Sequence, residues 1–169
     1  MERSKKMLTY RLCQPADCQI WIKLNRDFMA YEIADDDLWG GTDQVSDEVF
    51  ANTFAEALET PELIHLLLFE EDGVPVGFAN LMTIFSVWTQ GIAMYLDDLF
   101  ISEEHRGKGY GKQALIYIEE FARKLGCRRM QFHSEASNPN AKEFYQAVGY
   151  QPAEMYFYVK YFEKTEGDR

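Results

Sequence analysis

The chain has 169 residues, is 47% hydrophobic and 27% charged, and carries a net charge of −11. That length suits one domain built on one core, expected to span residues 1–169. The acid excess argues against a nucleic-acid partner, which needs a cationic face for phosphates. No apolar run approaches the roughly 18 residues that cross a bilayer, and the basic start Met1–Lys6 leads into no apolar leader core. No membrane association is expected, and the expected location is cytoplasmic. Cys13, Cys18 and Cys127 match no zinc spacing and read as free thiols in a reducing compartment. His65, His105 and His133 are dispersed, so no metal is expected.

Met7–Leu12 reads as a strand and Pro15–Tyr31 as a helix with Ile20, Leu24 and Phe28 at four-residue spacing. Ile33–Thr42 is acidic, ends in Gly40-Gly41 and reads as a loop. Ser46–Glu59 is a second helix. Ser46 is its cap, Asp47 and Glu48 suit its first turn, and Val49, Phe50, Phe54, Ala57 and Leu58 form its stripe. Ile64–Glu70 and Val76–Phe85 are apolar strands around the hairpin signal Glu71-Asp72-Gly73. Ser86–Ala93 reads as a connecting loop and Met94–Ile101 as a strand. Gly109–Leu125 is a helix closed by Gly126, with Ala114, Leu115, Ile118, Ala122 and Leu125 inward. Arg129–Ala136 is a strand, Asn140–Val148 a helix, and Tyr156–Phe162 an aromatic strand. This β-α-α-β-β-β-α-β-α-β order predicts a mixed α/β sheet with helices packed on it.

Charge is laid out unevenly. From Asp27 to His105 there is no Lys or Arg but there are 18 Asp and Glu; from Arg106 to Arg129 there are seven Lys and Arg and only Glu119 and Glu120. An acidic part suits a cationic substrate, and a basic part suits an anionic cofactor.

The basic part opens on Arg106-Gly107-Lys108-Gly109-Tyr110-Gly111, after a strand and before a helix. Alternate glycines let the backbone turn tightly and leave its amides unshielded. Those amides and the positive end of the next helix form an anion site, to which Arg106, Lys108 and Lys112 add charge. A pyrophosphate fits. The Walker pattern fails, because Gln113 stands where Ser or Thr must bind magnesium. The dinucleotide pattern fails at Lys112. Hydride transfer and kinase chemistry are disfavoured accordingly.

The pattern present, Arg-x-x-Gly-x-Gly, resembles the acetyl-CoA pyrophosphate motif of the GNAT superfamily of N-acetyltransferases. About thirty residues on, Asn138 to Tyr150 resembles that superfamily's downstream motif, Asn-x-x-Ala-x-x-(apolar)-Tyr-x-x-x-Gly-(aromatic). The resemblance implies a mixed, mostly antiparallel sheet with a splayed parallel strand pair and helices on both faces. It implies acetyl-CoA as cosubstrate, held by Leu99, Phe100, Ile101, Arg106, Gly107, Lys108, Gly109, Tyr110, Gly111, Lys112, Asn138, Ala141 and Val148. In the family the tyrosine at Tyr145 points its hydroxyl at the sulfur of CoA and can protonate the departing thiolate. A nearby strand amide would polarise the thioester carbonyl.

A closer resemblance is to the spermidine/spermine (diamine) N-acetyltransferase branch. Ala16-Asp17-Cys18 followed by Ala30-Tyr31-Glu32 matches its "ADC…KYE" at the same spacing. Tyr95 to Ile101 resembles its "YLEDFFV". By that likeness Tyr31 and Glu32 hold the amine chain, Gln131 and His133 line the site, and Asp97 receives the ammonium proton. Asp97 is one methylene shorter than the branch's glutamate, and Ser137 stands where the branch has a Trp. The expected reaction is direct attack of a small cationic primary amine on acetyl-CoA. Protein, peptide or aminoglycoside acceptors are alternatives, as is a non-catalytic acetyl-CoA sensor. Cys127 as an acyl carrier is disfavoured for want of a His partner. Relatives are often dimers, which makes the aromatic C-terminal strand a candidate homodimer interface.

Overall fold

The computed structural model describes residues 7–32, 45–136 and 138–162. The loop expected over Ile33–Thr42, its Asp35–Asp37 acids, Ser137 and the Glu32 side chain lie outside the described part.

In chain order the elements are β1 (Leu8–Leu12), a 3-10 turn (Pro15–Asp17), α1 (Cys18–Glu32), α2 (Asp47–Leu58), β2 (Ile64–Glu71), β3 (Val74–Ser86) and β4 (Gly91–Ile101). A second 3-10 turn (Glu103–His105), α3 (Tyr110–Lys124), β5 (Arg129–Gln131) and α4 (Pro139–Ala147) follow. The five strands lie in sequence order in one sheet. Every pairing is antiparallel except β4 with β5, which is parallel. Helices cover both faces, as the resemblance implied. On one face Leu67, Leu81 and Leu96 pack with Leu115 and Ile118 of α3. On the other, Leu66, Leu68 and Phe78 pack with Trp21 and Leu24 of α1 and with Phe50 and Phe54 of α2.

Local chemistry explains the ends of these elements. Ser46 Oγ accepts from Val49 N and caps α2. Asn138 Oδ1 accepts from Ala141 N at 3.1 Å and caps α4. Asp72 and Gly73, with φ of 53° and 79°, make the mirror-image two-residue turn that suits a twisted hairpin.

Several sequence expectations need correction. Ser86–Ala93 is not a free connection: β3 runs to Ser86, β4 starts at Gly91, and a tight turn joins them, with Gln90 N donating to Val87 O. The strand expected over Arg129–Ala136 is confined to Arg129–Gln131. Tyr156–Phe162 forms no strand, and apart from Phe157, whose ring stacks on His133, its aromatic side chains are largely exposed, Tyr156 at 88% and Tyr158 at 87%. Aromatic content favours a strand only where a ladder neighbour exists, and β5 pairs over three residues alone. Val49 and Leu125 are exposed rather than inward, each lying at the edge of its helix's apolar stripe.

Arg11 ties β1 to the sheet and to the start of α1. Its guanidinium donates to both Asp17 oxygens, at 2.6 and 2.8 Å, and to Glu70 at 2.8 Å. Those bonds hold the Asp17 carboxyl below its ordinary range. A carboxyl depressed on folding stabilises above its unfolded pKa, and the contribution is lost as pH falls through its folded value. Arg11→Met should therefore cost about 1–2 kcal/mol near neutral pH. Urea unfolding should show that difference shrinking as pH falls below about 4, the ordinary carboxyl value.

Candidate active site

β4 and β5 pair at Ala93↔Arg129, Met94↔Met130 and Tyr95↔Gln131, and then part. β4 continues to Ile101 without a parallel neighbour, so its amides on that side, from Leu96 onward, have no ladder partner in β5. This is the splayed pair expected from the resemblance.

On its other edge β4 carries a bulge. Leu81 pairs with Leu96 and Asn80 with Asp98, which leaves Asp97 as the extra residue. The bulge reverses the facing pattern. Before it, Met94 and Leu96 enter the α3 side of the core; after it, Leu99 and Ile101 do. The two carboxylates separate accordingly. Asp98 accepts from Asn80 Nδ2 at 2.7 Å, while Asn80 Oδ1 accepts from Trp21 Nε1 at 3.0 Å, so Asp98 is held towards α1. Asp97 keeps contact with solvent, yet the protein around it lifts its carboxyl above the ordinary range through desolvation, with His133 opposing. Tyr95 hydrogen-bonds His133 through its hydroxyl and Nδ1. Gln131 ends β5 beside them.

The glycine loop lies at the far end of β4. Gly107 and Gly109 take φ of 74° and 80°, and an added Cβ at either would meet no atom within 4 Å. Gly109 also caps α3, whose first intrahelical bond runs from Gln113 N to Gly109 O. The amides of Gly111 and Lys112 thus have no carbonyl one turn behind them in the helix, at the positive end of its dipole. The backbone therefore presents donors in a turn whose two glycines carry no side chain and have open space around them, which suits a diphosphate.

The cations of this loop are arranged differently from the sequence expectation. Lys108 Nζ lies 3.3 Å from Glu71. Arg106 Nε donates to Ile101 O, and its guanidinium sits 3.9 Å over the Tyr31 ring and 5.4 Å from that of Phe100. Lys112 is exposed. Tyr31, Phe100 and Arg106 line a cavity of about 290 Å³ with Glu103 and Glu104. Tyr31 thus joins the loop end of β4, away from the Asp97 end. Glu32 is the last residue of α1.

Tyr145 packs in an aromatic group at the start of the split, with ring centroids 4.4 Å from Phe132, 5.2 Å from Phe144 and 6.1 Å from Tyr150. Phe144 in turn meets the glycine loop, since a Cβ at Gly111 would come within 3.2 Å of its ring. Asn138 and Ala141 serve the cap of α4. Val148 packs into the α3 side and lines a second cavity with Cys127 and Met130. Tyr110, named for the loop, is buried, and its hydroxyl donates to Glu71 at 2.7 Å.

Sequence reading missed Glu71. It is 7% exposed and gathers Tyr110, Lys108 and His105, whose Nε2 is 3.3 Å away. In the sequence it is one acid of a turn-forming Glu-Glu-Asp-Gly, and no local signal marks it. His65, Cys13 and Cys127 are tied up in packing away from the split. His65 is buried and bonds Thr83 Oγ1 at 2.8 Å. Burial pushes the Cys13 thiol up to about 12 and raises Cys127 as well.

Fold, strand split and glycine turn together define an acyl-transfer site. The chain belongs to the Acetyltransferase (GNAT) family, whose pattern matches residues 26–150. It is 34% identical over 113 residues to an uncharacterized N-acetyltransferase, YycN, of Bacillus subtilis (strain 168), covering 66% of this chain and 70% of that one. It is 28% identical to a thialysine N-epsilon-acetyltransferase of Bos taurus, covering 83% of this chain and 82% of the relative. Among solved structures, the aminoglycoside N-acetyltransferase AAC(6')-Iy in complex with CoA superposes with a TM-score of 0.72. There the identity is 18%, over 95% of this chain and 99% of that one.

Glu71→Gln should loosen the loop. Hydrogen exchange at Gly107–Gly109 should accelerate, with a loss of about 1–2 kcal/mol in unfolding free energy; unchanged exchange would remove Glu71 as the anchor.

Proposed function

We propose that this acetyltransferase moves an acetyl group from acetyl-CoA to the primary amine of a small, cationic acceptor of diamine or polyamine type. The observation that carries the proposal is the parting of β4 from β5 after Tyr95, with the bulged residue Asp97 just past that point and the Gly107–Gly109 turn beyond the end of β4. The donors of that turn suit a diphosphate, and the edge of β4 from Leu99 to Ile101, which has no ladder partner in β5, suits an extended amide-bearing arm. Acetyl-CoA supplies an acetyl group already activated as a thioester.

The chain's own residues do the rest. An alkyl ammonium has a pKa of about 10 and cannot attack until it loses a proton. Asp97 is the proposed acceptor of that proton, and its raised carboxyl is better matched to the task than an ordinary one. Backbone amides of β4 steady the oxygen that gains charge. Tyr145 is proposed to donate to the leaving sulfur. Attack is direct: Cys13 and Cys127 are held as thiols by burial, which suits no acyl-enzyme. Bringing two substrates together supplies much of the rate.

The acceptor class is supported by charge. The stretch from Asp27 to His105, which carries Asp97, Glu103 and Glu104, has no Lys or Arg. Gln131 and His133 are the proposed acceptor contacts at the Asp97 end, and Tyr31 and Glu32, at the end of α1, are proposed to hold the far end of an extended acceptor chain. The thialysine relative is named for transfer to a side-chain amine. Labelled acetyl-CoA offered with polyamines, amino acids, aminoglycosides and basic peptides decides the matter. Turnover is expected on small polyamines. Turnover on peptides alone would replace the acceptor, and binding without turnover would make the protein a sensor.

Two variants test the chemistry. Tyr145→Phe should lower kcat by about tenfold or more with little change in coenzyme affinity. Activity of the native enzyme should fall on acidification with a midpoint above the ordinary carboxyl value of about 4, because the Asp97 carboxyl is raised and must be ionised to accept. Asp97→Asn should abolish that limb along with most of the rate.

A further inference from the structure

α1 follows β4 from the neighbourhood of the bulge to the glycine loop. Trp21 Nε1 donates to the Asn80 amide, and Asn25 Oδ1 accepts from it at 3.2 Å, beside Asp98. Further along the helix Phe28 meets Phe100, with ring centroids 5.7 Å apart. At its end the Tyr31 ring lies against Arg106, whose guanidinium carbon is 3.9 Å from the ring centroid.

Arg106 opens the glycine loop and is partly buried. Its Nε donates at 3.0 Å to Ile101 O, the last carbonyl of β4, and the Phe100 ring lies 5.4 Å from its guanidinium. Lys108 sits against Glu71, but among the described residues Arg106 forms no ion pair, although Asp27, Glu103 and Glu104 line the same cavity. Two rings and a carbonyl, rather than a carboxylate, hold this side chain. A guanidinium is permanently charged and stacks on aromatic faces, so it can be fixed in this way while keeping its charge for an anion.

Resting on the acetyl transfer proposed above, we propose that Tyr31 is a positioning residue of the coenzyme loop: its ring fixes the Arg106 guanidinium, and the end of α1 thereby sets the affinity for coenzyme. An arginine left loose must be ordered when a diphosphate binds, and a clamp formed beforehand removes that cost. The resemblance implied Tyr31 for the acceptor alone; the ring serves the other substrate as well. Tyr31 is 60% exposed, which leaves much of it open to an acceptor chain.

The experiment is calorimetric titration with coenzyme A, without acceptor, of native protein, Tyr31→Leu and Tyr31→Phe. Tyr31→Leu should weaken binding about two- to fivefold, the scale of an exposed cation–ring contact. Tyr31→Phe keeps an aromatic face and should bind within about twofold of native. In an Arg106→Gln background Tyr31→Leu should add no further loss, because the ring acts through the guanidinium. A role in acceptor binding alone would leave coenzyme affinity unmoved, and a general packing role would persist without Arg106. Native affinity in Tyr31→Leu, or the same loss with and without the Arg106 side chain, overturns the proposal. If Arg106→Gln does not fold, the difference between Tyr31→Leu and Tyr31→Phe decides. Native protein that takes up no coenzyme A would overturn the acetyl-transfer reading and this proposal with it. Weakened binding in Tyr31→Leu with no turnover on any amine would uphold the clamp and overturn the reaction. Turnover with native coenzyme affinity in Tyr31→Leu would do the reverse.

Discussion

A strand that outruns its partner governs this molecule. Main-chain amides and carbonyls in a sheet must find hydrogen bonds. β4 meets that demand on its β3 side along its length, but on its β5 side only as far as Tyr95. Beyond that point the sheet offers a cleft edged by its own backbone. The proposed catalysis is assigned to that cleft: to the bulged Asp97 near its start, the aromatic group around Tyr145 and the glycine turn past the end of β4. The cleft persists because both sheet faces are packed. α1 and α2 brace β4 through Asp98, Asn80 and Trp21, and α3 covers the opposite side.

Much of the fold was legible because it is written locally. Ser46 and Asn138 are caps, Asp72-Gly73 is a turn, and the inward residues of α3 from Ala114 to Ala122 recur at helical spacing. The glycine turn was legible for the same reason: Gly107 and Gly109 take backbone angles that other residues resist. What escaped was set by partners far along the chain. The extent of β5 depends on where β4 departs, and nothing in Arg129–Ala136 encodes that. The aromatic run Tyr156–Phe162 has the composition of a strand but no ladder to join.

The site was legible in its residue types more than in their arrangement. Asp97 and Asp98 read as alternating neighbours, but the bulge is a property of register with β3 and changes which core face β4 addresses. Lys108 and Arg106 read as charge for a phosphate. In the structure one lies against Glu71 and the other over Tyr31. The charge of Lys108 is therefore partly offset by its own scaffold, which shifts the proposed anion contacts towards the main-chain donors. Glu71 was invisible because its significance arises only when the β2–β3 hairpin folds under the loop.

The contact between Gly111 and Phe144 joins two motifs that the sequence keeps some thirty residues apart. Phe144 adjoins Tyr145, so the fit of α3 against α4 and the placing of the Tyr145 ring are linked. A methyl at position 111 would oblige the Phe144 ring to give way by a few tenths of an ångström. Substitutions at these two places must accordingly compensate each other in size, and a swapped segment carrying only one of them would arrive out of gauge.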